Sequence, residues 1–171
     1  MTPAVILVAL FAVLVWGASP VGTKFAVAEL PPIAVAALRT SLGGLAALPL
    51  ALALRIPWPR DRTQRWLLLL SSVCGFIVFP LLFSFGLRFT SALHASMILA
   101  LIPVVTGGIA MAWDRQRPHA RWWIGCAIAI GGAILLALSR HGAGDAPSSI
   151  LGDGLVLLGN VAAAAGYVSG G

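Results

Sequence analysis

Charge is what this sequence has least of. Of 171 residues, 9% are charged, with five acids and a single lysine, Lys24. A soluble domain carries about 25% charged residues, so a water-facing globule is excluded for a chain that is 60% hydrophobic with a mean hydropathy of +1.00. Cysteine is nearly absent too. Cys74 and Cys126 both fall inside apolar runs, where they read as small packing residues rather than a disulfide. No Gly-x-x-x-x-Gly-Lys-[Ser/Thr] loop occurs, so the chain does not itself hydrolyse ATP. The three histidines and two cysteines show no ligand spacing, so neither a metal nor another cofactor is expected. Asp61, Asp114, Asp145 and Asp153 sit at loops or run ends. Asp153 lacks the second buried aspartate of an intramembrane protease. With no acid–base or nucleophile pair inside a run, the chain is not expected to be an enzyme.

What the sequence has in abundance is long apolar runs. Crossing the hydrocarbon core takes about 20 apolar residues, and six runs meet that: about 4–27, 32–54, 66–87, 91–113, 122–139 and 151–171. They predict an all-α polytopic membrane protein with about six transmembrane helices and the lipid bilayer as its main partner. The first run lacks a basic start and exceeds the roughly 7–15 apolar residues of a signal peptide, so it reads as an uncleaved span. The net charge of +6 lies in short loops, which speaks for orientation in the membrane and against nucleic acid. Arg55, Arg60, Arg62, Arg65, Arg115, Arg117 and Arg121 flank one side, against Lys24, Arg88 and Arg140 on the other. By the positive-inside rule this predicts a cytoplasmic N-terminus.

One stretch concentrates the unusual residues: Val15-Trp16-Gly17-Ala18-Ser19-Pro20-Val21-Gly22-Thr23-Lys24. A bulky aromatic, two glycines, a helix-interior proline and a cation suggest a helix that bends, packs closely and faces something polar. Residues 161–171 can be laid over residues 12–22 with a few matches. Five crossings separate the two copies, so they would run in opposite directions, a recurring plan of secondary transporters.

The Trp-Gly, proline and lysine of that first span resemble the EamA-type transporters of the drug/metabolite transporter superfamily. So do Pro32 with Ala37-Leu38-Arg39, Gly86-Leu87-Arg88-Phe89-Thr90-Ser91-Ala92 with Ala95-Ser96, Leu101-Ile102-Pro103, and Trp123 with Gly125 and Gly131-Gly132. The resemblance implies a five-helix repeat over 1–140, an external linker over 141–150 and the first helix of an inverted second repeat over 151–171. It further implies a secondary transporter in the bacterial inner membrane, an exporter or permease of small metabolites such as amino acids or drugs. Members of this type have two repeats and ten helices. A chain stopping in or after its sixth span is therefore expected not to be a complete transporting unit. A non-transporting membrane interaction protein, or a half-transporter acting as a homo-oligomer, is the alternative.

Arg39 is the sharpest candidate, about 10 Å into its span from Pro32 at 1.5 Å per residue. An arginine at that depth usually faces a cavity or a partner; here it is expected to attract an anionic group such as a carboxylate. Trp16 is expected to shape the cavity, with Thr90, His94 and Ser96 as further substrate-binding candidates. Lys24 is expected to snorkel, within reach of Glu29. Pro20, Pro49, Pro80 and Pro103 fall within spans, each a kink or a hinge; Pro20 and Pro103 are the hinge candidates. Gly125, Ala129, Gly132 and Leu136 share a small-residue face suited to packing.

Overall fold

The computed structural model describes residues 3–54, 58–115, 118–138 and 149–170, and these form helices joined by short turns. In chain order they are α1 (Pro3–Glu29), α2 (Pro32–Ala53), α3 (Arg62–Val73), a π-helical turn (Cys74–Val78), α4 (Phe79–Phe89), α5 (Ala92–Leu99), α6 (Ile102–Asp114), α7 (Ala120–Leu138) and α8 (Ile150–Gly170). α3, the π turn and α4 make one continuous rod, and α5 and α6 make another interrupted at Ala100–Leu101. The six expected spans are therefore present. Five of them are long and apolar enough to cross a membrane, and α7, with 19 residues, reaches about 28 Å. Most of the expected 141–150 linker, with Arg140, Arg55 and Arg117, lies outside the described residues.

Local chemistry sets the ends. Pro31 is extended (φ −58°, ψ 139°) and Pro32 opens α2, where a missing N–H costs nothing. The Asp61 carboxylate accepts from the backbone N–H of Thr63 and Gln64, capping α3. Ser91 caps α5 by accepting from His94 N. Exposed Trp58, Trp66, Trp113 and Trp123 all stand at the end of the bundle that carries Asp61. Tryptophan gathers at membrane–water boundaries, and Arg60, Arg62, Arg65, Arg115 and Arg121 share that end.

α8 is the centre of the fold. It runs antiparallel along the whole α3–α4 rod and also touches α5 and α6. Gly152, Val156, Gly159, Ala163, Gly166 and Gly170 recur at intervals of four and three, one seam of a helix packed at a shallow angle. A Cβ on Gly86 would lie 2.6 Å from Val156 Cγ2, and one on Gly166 would lie 3.1 Å from Gly75 N. The Ser71 hydroxyl donates to Gly166 O at 2.7 Å across the same seam. α1 ends where α8 begins, so α1 and α8 run in opposite directions.

Elsewhere the bundle is open. Residues 4–18 of α1 and 41–50 of α2 are exposed throughout, a lipid-facing surface for a chain of this composition. On the small-residue face expected on α7, a Cβ at Gly125 or Gly132 would find nothing within 4 Å. α7 also touches α5, Cys126 on it is buried, and the Trp122 indole lies against Gly107 of α6.

The four span prolines divide into two kinds. α1 runs unbroken through Pro20 and α2 through Pro49. Before Pro80 the helix widens into the π turn, which gives the ring room against the carbonyl four residues back. That carbonyl, on Phe76, accepts from the Thr40 hydroxyl at 2.7 Å. Before Pro103 the helix breaks, and the Ile98 carbonyl accepts from the side-chain amide of Asn160, fully buried in α8. In both places a side chain from another span donates to backbone at the irregularity, and Ile98 O accepts from Leu101 N as well, at 3.1 Å.

Candidate intramembrane binding cavity

Two polar systems occupy the bundle. The first ties one end together. Lys24 Nζ donates to Leu87 O and Thr90 O, each at 2.7 Å, so it caps the C-terminus of α4 rather than snorkelling outward or pairing with Glu29. The Thr90 hydroxyl donates to Asp153 Oδ1 at 2.5 Å, and His94 Nδ1 lies 3.0 Å from Asp153 Oδ2. This is the one ion pair among the described residues. Ser149 N donates to Phe89 O at 3.1 Å. The ends of α1, α4, α5 and α8 are thus joined in one clasp.

The second system lines a cavity of about 560 Å³ between the middle of the bundle and the Asp61 end. Its walls come from α1 (Trp16, Ser19), α2 (Arg39, Thr40), the α3–α4 rod (Phe76, Phe79, Phe83) and α8 (Tyr167, Gly170). Arg39 is half-buried. Its Nη1 donates to Thr23 Oγ1 at 2.5 Å and its Nη2 to Ser19 Oγ at 3.0 Å. The guanidinium carbon lies 5.5 Å from the centre of the Phe83 ring. Thr23 passes its own proton to Ser19 O at 2.7 Å, leaving its oxygen lone pairs to the arginine.

Of the residues singled out from sequence, Trp16 and Arg39 stand in the cavity wall. Thr90 and His94 stand in the clasp, and Ser96 donates to Ala92 O of its own helix at 2.7 Å. Pro20 is fully buried in α1 beside the cavity residue Ser19, and Pro103 is at the start of α6 just past the break. Sequence reasoning passed over Ser19, Tyr167 and Asn160. The last two are the chain's only tyrosine and only asparagine, and Asn160 lies about 15 Å into its span. A lone amide at that depth is the signal that was there to find.

The fold and the cavity define a polytopic helical membrane protein with a solute-sized chamber inside the bilayer. The chain belongs to the EamA-like transporter family, whose model matches residues 3–138. It is similar to the uncharacterized transporter YdeK of Bacillus subtilis, 29% identical over 161 residues, covering 92% of this chain and 53% of that protein. It is similar also to the uncharacterized transporter YwfM of the same organism, 28% identical over 131 residues, covering 74% of this chain and 43% of that one. The chain thus spans about half the length of these curated relatives. No solved structure matches it.

Proposed function

We propose that the chain forms the substrate-binding part of a secondary transporter of small metabolites, working without ATP as an exporter or permease in the bacterial inner membrane. The observation that carries this reading is the cavity itself. Its volume falls in the range of about 300–1,000 Å³ typical of small-molecule sites, and it is walled by two oppositely directed helices, α1 and α8. Broken helices beside a central cavity are a recurring feature of secondary transporters, and the α3–α4 and α5–α6 rods supply two. The arginines and tryptophans at the Asp61 end support a cytoplasmic N-terminus. In that orientation the clasp closes the outer side and the cavity lies toward the cytoplasm. The exposed stretches of α1 and α2 are then faces for further transmembrane helices, from a longer polypeptide or a second copy.

The test is a pair of measurements on the purified chain. In lipid nanodiscs it is expected to retain at least one member of a labelled metabolite panel saturably and without nucleotide. In proteoliposomes the same material is expected to show little flux, because one wall of the cavity stands open. Robust flux would mean that this length is sufficient for transport. Failure to retain any panel member would favour the membrane interaction protein.

A further inference from the structure

We infer that the cavity takes organic anions with a flat apolar body, and that Arg39 selects for the negative charge; this rests on the reading of the cavity as a substrate site. A guanidinium has five N–H donors and cannot shed its charge in a protein. In Arg39, one nitrogen donates to the Thr23 hydroxyl and another to the Ser19 hydroxyl. Both partners are neutral, so they orient the fork without compensating it. Among the described residues no carboxylate pairs with Arg39, since the single ion pair is His94–Asp153. Among the described residues no acid lines the cavity. A charge drawn partly out of water without a counter-ion is costly, and an anion in the cavity supplies one.

The hydroxyls add direction. Thr23 spends its proton on Ser19 O. Ser19 Oγ accepts from Arg39 Nη2 and keeps its own O–H to donate to an oxygen of the ligand. Two kinds of donor, N⁺–H and O–H, therefore converge on one spot, an arrangement that fits a carboxylate. Away from that spot the wall is aromatic, with Trp16, Phe76, Phe79 and Tyr167. Such faces suit a ring or a planar chain. A lipophilic cation would meet the arginine with no acid to receive it, so cations are rejected by the same geometry.

The probes are 3-phenylpropionate, its neutral amide and the corresponding 3-phenylpropylammonium, matched in shape and differing in charge. Binding of labelled acid to the chain in nanodiscs is measured with the other two as competitors. The acid is expected to bind at least about 10-fold tighter than either, the worth of one charge-assisted contact. Arg39→Gln is expected to bring acid and amide to parity, while Arg39→Lys keeps part of the preference. Ser19→Ala is expected to weaken the acid several-fold and leave the amide unchanged. The wild-type comparison needs no variant, so a misfolded mutant does not blunt it. Equal or tighter binding of the amide or the ammonium would overturn the anion inference while leaving the cavity a ligand site. Retention of none of the three by monodisperse helical protein would overturn both.

Discussion

Gly152 faces backbone, not side chain. A methyl added there would sit 2.8 Å from the carbonyl carbon of Phe89 and 2.8 Å from the nitrogen of Thr90. Neither atom can rotate away, so α8 must shift and the clasp with it. Gly152→Ala is expected to cost about 1–3 kcal/mol, the usual range for overpacking, read as a lower melting temperature in detergent. Gly125→Ala is the matched control, with open space around it, and is expected to stay within about 0.5 kcal/mol of wild type. Both glycines belong to helical small-residue patterns that look alike in the sequence. Spacing identifies a face that allows close approach; it does not say which helix has a neighbour to use it. For that reason α7 was legible as a candidate packing helix, while the seam that does the packing, on α8, was not.

The same distinction applies to the broken elements. Four prolines lie within spans, and composition around them gives no reason to separate Pro20 and Pro49 from Pro80 and Pro103. What separates them is a donor from elsewhere: Thr40 reaches Phe76 O across 36 residues of sequence, and Asn160 reaches Ile98 O across 62. Removing such a donor takes one hydrogen bond from the carbonyl at each break, and Ile98 O then keeps only the bond from Leu101 N at 3.1 Å. Thr40→Val and Asn160→Leu are each expected to destabilise by about 1–3 kcal/mol. Hydrogen exchange should rise selectively, around residues 76–80 in the first variant and 98–103 in the second. Uniform exchange across the bundle would show that the breaks do not depend on these contacts.

At the scale of the molecule, the spans and their order were legible because hydropathy over about 20 residues is a local property. The cavity was legible in part, since Trp16 and Arg39 stand out against apolar neighbours. The clasp was not, because it joins Lys24, Thr90, His94 and Asp153 from four helices. Replacing Asp153 by Asn keeps the shape and removes the charge facing His94. With both side chains partly exposed, the expected loss is about 1 kcal/mol, accompanied by faster labelling of a cysteine placed at Ser91. Orientation has its own test, in a background where Cys74 and Cys126 are replaced by alanine. An impermeant thiol reagent outside the cell is expected to reach a cysteine at position 145 but not at 62 or 117. The reverse pattern would turn the molecule over.

The position of Lys24 has a mechanical consequence. With the Arg39 bonds to Thr23 and Ser19 it holds one end of α1, and no side chain between residues 4 and 18 is buried. From Ser19 back to Pro3 the helix is an arm of about 24 Å at 1.5 Å per residue. A tilt of roughly 5° about that pivot carries the free end some 2 Å sideways, taking Trp16 through about a fifth of that distance. A small repacking at the fulcrum is thereby geared up at the other end.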